Sequence, residues 1–241
     1  MTETMTPSSP SGQPQLGLLS RVMGVIFSPR ETFAAVVARP KWFGAIAIAV
    51  LISGAAQFAL LSTDVGKDLA LEQNVAMMEA FGQTISDDTY AAMEQSMETA
   101  RYTGPIATIF FTPLILLVTS GLMHVMFGLV GGGNGTFKQV YAISAHSTII
   151  SSLQLVFTTI VTVAAGRSAG ANLAVFAPML EDTTFVYKFL SYIDLFYVWS
   201  TFITAVGLGV LYKRRTSGYA MVLFGIYFVI AALIAFIRSG S

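Results

Sequence analysis

WFGAIAIAVLISGAAQFALL, Trp42 to Leu61, runs for twenty residues without an Asp, Glu, Lys or Arg. At ~1.5 Å per residue a helix of this length matches the ~30 Å hydrocarbon core of a bilayer. Arg39 and Lys41 stand before it, and Asp64 and Lys67 after it. This stretch therefore predicts a membrane crossing, and the rest of the chain is read outward from it. Of the 241 residues, 54% are hydrophobic and 11% charged, with a mean hydropathy of +0.70. Soluble domains carry about 25% charged residues, so the composition predicts an integral membrane protein. A formal net charge of zero argues against a nucleic-acid partner. The absence of cysteine excludes disulfides, zinc thiolates, iron–sulfur clusters and thiol catalysis.

Four further apolar runs qualify as spans: 105–130, 140–165, 191–211 and 219–237. Pro113 should kink the first of these. The links GGGNGTFKQ and YKRRTSG are short, which predicts two antiparallel helical hairpins. Residues 1–15 are rich in Ser, Thr, Pro and Gly and predict a disordered cytoplasmic tail; no basic stretch leads into an apolar one as in a signal peptide. Residues 16–27 are apolar, interrupted by Arg21 and too short to span, which predicts an interfacial helix. Ser28-Pro29-Arg30-Glu31 then reads as a capping box with proline at N1. The helix it opens should run to Ala38, with Phe33, Val36 and Val37 on one face, before Pro40 stops it. The fold class is thus all-α, a polytopic bundle of five spans with an N-terminal interfacial helix pair at 16–39.

The outer loop, 62–104, should contain two helices resting on the membrane surface. Asp68 to Ala80 is one, broken at Gly82. Ser86-Asp87-Asp88 starts the other, with Tyr90, Met93 and Met97 at helical spacing. The basic residues set the orientation. Arg21, Arg30, Arg39, Lys41, Lys138 and the cluster Lys213-Arg214-Arg215 fall on one side, and most acids on the other. This predicts a cytoplasmic N-terminus and an extracytoplasmic C-terminus. No internal repeat of the transporter kind is visible.

The candidate polar site lies in SYIDLFYVW, 191–199. Ionised Asp in hydrocarbon costs at least ~2.5–3.5 kcal/mol. Ser-x-x-Asp predicts a helix start with Ser191 as N-cap and Asp194 at N3, where unpaired N–H groups serve the carboxylate. The alternatives are a structural hydrogen bond to a neighbouring span and proton or cation handling. His124 and His146 lie equally far from the inner ends of their spans, ~9 Å deep by helical rise, so they could meet. Asp194 enters from the opposite face, over ~10 Å away across a ~30 Å core. No three-residue site is expected, and structural histidines bonded to Ser144, Ser147 or Thr148 are the favoured reading. The turn Gly131-Gly132-Gly133, with Asn134 to Thr136, lacks the ending of a phosphate loop and reads as a flexible hairpin turn. Asn134-Gly135-Thr136 is discounted as a glycosylation site because it faces the cytoplasm. Met77, Met78, Met93 and Met97 read as packing residues rather than copper ligands. No catalytic group, metal site or cofactor is expected, and no enzyme.

FSPRETF, ARPKWFGAIAIAV, GGGNGTFKQVYAISAHSTI and IDLFYVWSTFITAVGLGV, in this order and spacing, resemble the Yip family of Ypt/Rab-interacting proteins, in its bacterial branch. The resemblance covers roughly 16–237. Asp194 and Trp199 match the Asp-Leu-Phe…Trp stretch of the fourth span, and Phe137-Lys138 match the turn before the third. It implies five passes with the N-terminus inside. Eukaryotic relatives act between endoplasmic reticulum and Golgi and bind lipidated Rab GTPases. This chain lacks their Asp-Leu-Tyr-Gly-Pro motif, so Rab-type GTPase binding is not expected. The expected function is a non-enzymatic scaffold of the bacterial inner membrane, acting on the bilayer, on other membrane proteins or on itself. The alternative is a small transporter or channel for a cation or small solute.

Overall fold

The computed structural model describes residues 16–239. The tail expected at 1–15 lies outside them. The helices are α1 (Leu18–Phe27), α2 (Pro29–Ala38), α3 (Phe43–Leu61), α4 (Asp64–Ala80), α5 (Asp87–Met123), α6 (Phe137–Ala165), α7 (Phe185–Ser191), α8 (Leu195–Leu211) and α9 (Thr216–Ser239). A π-helical segment, His124–Val130, continues α5, and a 3₁₀ turn occupies Leu173–Phe176. Among the described residues there is no strand, only an isolated antiparallel bridge between Asn172 and Asp194.

Among the described residues, four helices are long and apolar enough to cross a membrane: α3, α5 with its π extension, α6 and α9. The chain is an all-helical integral membrane protein. α8 is apolar but has 17 residues, ~26 Å by helical rise. The span expected at 191–211 therefore starts late, at Leu195. The outer loop also departs from expectation. Its second helix is no separate element, because α5 runs unbroken for 37 residues through Pro105 and Pro113. Its first helix, α4, starts earlier, where the Thr63 side chain accepts from Gly66 N. The two arms are tied by an ion pair, Lys67 Nζ to Glu98 Oε1 at 2.7 Å.

α6 is the centre. It packs on α3 and α5 on one side and on α8 on the other, and α9 lies against α8 and α7. Its buried face mixes Ile143, Ile149 and Ile150 with Ala142, Ser144, Ala145, Ser147 and Ser152. Small residues let membrane helices approach closely, and hydroxyls bond to backbone or across helices. Ser120 Oγ donates to Ser144 Oγ at 2.9 Å, fixing α5 against α6. Gly207 of α8 admits both Ile143 and Phe33: an added Cβ would stand 2.4 Å from Ile143 Cγ2 and 3.3 Å from Phe33 Cγ.

α2 is part of this core. Thr32, Phe33 and Val36 are buried, and α2 packs on α8 and α6. Pro29 stands at its first turn, but Ser28 makes no side-chain cap. Instead Thr32 Oγ1 donates to Ser28 O at 2.9 Å, so the expected capping box does not form. α1 buries Arg21, Val22 and Val25 and leaves Leu19, Met23 and Phe27 exposed. Gln139 Nε2 donates to Val37 O at 3.0 Å, which holds α2 at the same end as the glycine turn. Lys188 Nζ donates to Arg238 O, so α9 finishes beside α7, at the other end.

Candidate functional site

The break before α8 is closely bonded to its surroundings. α7 finishes at Ser191, whose Oγ donates to Lys188 O at 2.7 Å. Ser191 thus closes one helix and does not open the next. Asp194 itself is the N-cap: Oδ1 accepts from Phe196 N at 2.8 Å and Tyr197 N at 3.3 Å. Its extended backbone (φ −94°, ψ 134°) suits that position. The carboxylate thus meets the positive end of the helix. Asp194 N donates to Tyr227 Oη at 3.1 Å, and Tyr227 Oη donates to Tyr192 O at 2.7 Å. Leu195 N donates to Ala171 O and Leu173 N to Ile193 O, at 3.0 and 2.9 Å. The break is therefore sewn to α9 and to the loop after α6, and its backbone donors are satisfied within the protein. Trp199 sits one turn further along α8, its ring tilted at 6.3 Å from Phe196.

The two histidines are placed apart. With Ser120 opposite Ser144, antiparallel pairing sets His124 opposite Val140 and leaves His146 about six residues deeper, ~9 Å by helical rise. The His124 ring instead meets Phe137 edge-on, with centroids 6.2 Å apart. His146 is fully buried, and its Nδ1 pairs with Ala142 O at 2.7 Å. Ser144, Ser147 and Thr148, named as its partners from sequence, bond to backbone carbonyls one turn back. Among the described residues no three His, Asp or Glu side chains gather as a metal site would need.

The glycine turn proves to be built around an aromatic ring. An added Cβ at Gly133 would stand 2.3 Å from Tyr212 Cδ1, and one at Gly135 2.9 Å from Tyr212 Cε1. Gly132 takes φ +67°, which favours glycine. Thr136 caps α6 in a reciprocal box with Gln139, and Lys138 is exposed in its first turn. Tyr212 in turn stacks on Tyr219 at 5.8 Å, and Tyr219 meets Phe127 edge-on at 5.1 Å. His124 Nδ1 and the Tyr212 hydroxyl are buried without a hydrogen-bond partner. Both crowd Gly128, whose added Cβ would lie 3.0 Å from Nδ1 and 3.2 Å from the hydroxyl. On α1, Arg21 Nη1 donates to Lys41 O at 2.9 Å, and burial pulls its guanidinium below the ordinary value.

Sequence reasoning missed Tyr212 and Tyr227. Both are tyrosines in or beside apolar runs, and their partners come from distant parts of the chain. The Thr-x-x-Gln pattern at 136–139 was a readable cap signal.

Residues 23–238 match the Yip1 domain family. The chain belongs to the Yip1 family. Membrane protein YknW of Bacillus subtilis (strain 168) is similar to it, 26% identical over 224 residues, which cover 90% of this chain and 91% of that protein. No solved structure matches the chain. The Yip1 match begins inside α1 and stops inside α9. The second half of α1, all of α2, the glycine turn and the Asp194 break therefore lie within the family's domain.

Proposed function

We propose that this Yip1 protein is a non-enzymatic scaffold of the bacterial inner membrane. It crosses five times, with the short α8 as the fourth span, and holds α1 and α2 on the cytoplasmic side and its C-terminus outside. The observation that carries this reading is the division of α1. Its inner face is fastened to the bundle by Val22, Val25 and the Arg21–Lys41 bond. Its outer face leaves Leu19 and Phe27 73% and 74% exposed. Such a helix lies in the interface and buries apolar residues ~5–10 Å into one leaflet. Fastened to a rigid bundle, it widens that leaflet beside the protein or presents a face to a partner membrane protein or a second copy. Rab-type GTPases are not among the partners proposed. A transport route would need water between Asp194 and the histidines, whereas His146 and, further along α6, Ile149 and Ile150 are buried.

The test is reconstitution of the full chain and of Leu19→Asp with Phe27→Asp. The wild type should narrow vesicle diameters seen by electron microscopy, or recover a partner on cross-linking, and the variant should do neither. Unchanged diameters and recovery in the variant would overturn the scaffold. Because the chain has no cysteine, Asn134→Cys and Gln73→Cys report orientation. They should label from opposite sides of the membrane, 134 from the cytoplasm.

A further inference from the structure

We infer that the junction of α2, α8 and α9 is a binding site for one anionic phospholipid. Four cations surround a cleft of ≈650 Å³ there: Arg30 of α2 and Lys213, Arg214 and Arg215 of the α8–α9 link. All four are exposed. Among the described residues the ion pair between Lys67 and Glu98 engages none of them. Lys213 takes φ +52°, a backbone state that non-glycine residues adopt at a cost. With Arg214 N bonded to Gly209 O at 3.1 Å, it folds the link so that three successive cations line one hollow.

A second groove, ≈420 Å³, adjoins the first and shares Arg214 and Arg215 with it. Its other walls are Phe127, Gly131, Ser217, Gly218, Tyr219 and Val222. A free phosphate would use only the basic half. A diacyl lipid uses both: its phosphate meets the guanidinium and ammonium groups, and the top of an acyl chain lies against Phe127, Tyr219 and Val222. The link joins two apolar helices, so the cleft sits at headgroup depth, where basic pockets between spans hold acidic lipids. The site rests on the proposed orientation only for its leaflet, the cytoplasmic one.

The full chain, purified in detergent, is offered phosphatidylglycerol or phosphatidylcholine, and retained lipid is counted by native mass spectrometry. The wild type should retain phosphatidylglycerol in preference, and excess inorganic phosphate should not displace it. A basic side chain near the surface contributes ~1 kcal/mol, so Arg30→Gln should lower retention roughly fivefold and Arg214→Gln with Arg215→Gln roughly 25-fold. Gly218→Leu fills the apolar groove, and an added Cβ there meets nothing within 4 Å. It should lower lipid retention while leaving all charges in place. Equal retention of the two lipids, or charge variants that bind like the wild type, would overturn the proposal. So would displacement by phosphate together with an unaffected Gly218→Leu, which would mark a site for free anions. If the double arginine variant fails to fold, Arg30→Gln decides the charge question alone. Leu19→Asp with Phe27→Asp should keep wild-type retention whatever its effect on vesicles, so the scaffold and the lipid site can fail separately.

Discussion

Asp194→Ala and Asp194→Asn separate the structural and chemical readings of the carboxylate. Alanine removes the acceptor of Phe196 N and Tyr197 N, an N-cap loss of about 0.5–2 kcal/mol. It also removes the charge at the helix N-terminus, a further ~0.3–1 kcal/mol. Asparagine keeps an acceptor oxygen and loses only the charge. The Tyr227 bond to Asp194 N is a backbone bond and survives in both. The expected order of stability is wild type, Asn, Ala, with alanine about 1–3 kcal/mol below wild type, a roughly five- to 150-fold shift in the unfolding equilibrium. Reversible unfolding in mixed micelles, followed by tryptophan fluorescence in a Trp42→Phe background so that Trp199 alone reports, reads both steps. In the vesicle assay both variants should match the wild type once corrected for the folded fraction. An Asn variant that is as stable as wild type but inactive would refute the structural account, and so would an Ala variant of undiminished stability.

Two other perturbations test the same physics elsewhere. Gly133→Ala drives a methyl into the Tyr212 ring, 2.3 Å away, and stands 2.9 Å from Phe127 O. It should cost about 1–3 kcal/mol as overpacking, whereas Gly121→Ala, with nothing within 4 Å, should stabilise α5 by up to ~1 kcal/mol; melting temperatures in detergent decide between them. The Lys67 bond holds the Glu98 carboxyl below its ordinary value, so the support it gives the α4–α5 hairpin is complete above pH ~4.5 and lost as pH falls through the lowered value. Hydrogen-exchange protection factors of α4, corrected for the intrinsic exchange rate at each pH, should fall over that acid window in the wild type and stay flat in Glu98→Gln.

The helical class and four of the apolar spans were legible because hydropathy over ~20 residues answers to the bilayer and needs no knowledge of neighbours. So was the buried face of α2, since Phe33 and Val36 sit at helical spacing and are fully buried. The site was legible only in part. Ser-x-x-Asp names a helix start, but Ser191 lies inside α7. What sets the start at Leu195 is Tyr227, far along the chain, together with the return of Ala171. No local pattern encodes those partners. The histidine pairing assumed that neighbouring spans finish level. The Ser120–Ser144 bond sets a stagger instead, and a π-helical segment, which local composition does not announce, follows on α5. The glycine turn looked merely flexible because the ring that shapes it, Tyr212, comes from the other helical hairpin.

α2 links the two proposed surfaces. Arg30 and Ala34 line the basic cleft, Phe33 and Val36 enter the core, and Thr32 faces α1. That last contact is tight: a Cβ at Gly24 would stand 2.2 Å from Thr32 Oγ1. Thr32 has little room to yield, being 2% exposed and bonded to Ser28 O at 2.9 Å. Gly24→Ala should therefore push α1 from α2, at about 1–3 kcal/mol, while α2 stays anchored by Phe33 against Gly207. Protease protection of α1 and the change in vesicle shape should both fall, phosphatidylglycerol retention should hold, and Thr32→Ala should restore the first two by removing the obstructing hydroxyl. If Gly24→Ala leaves α1 protected and the vesicles unchanged, the close approach of the helices is not what fixes the lipid-facing side of α1. If lipid retention falls with them, the cleft depends on α1 and the two surfaces are one.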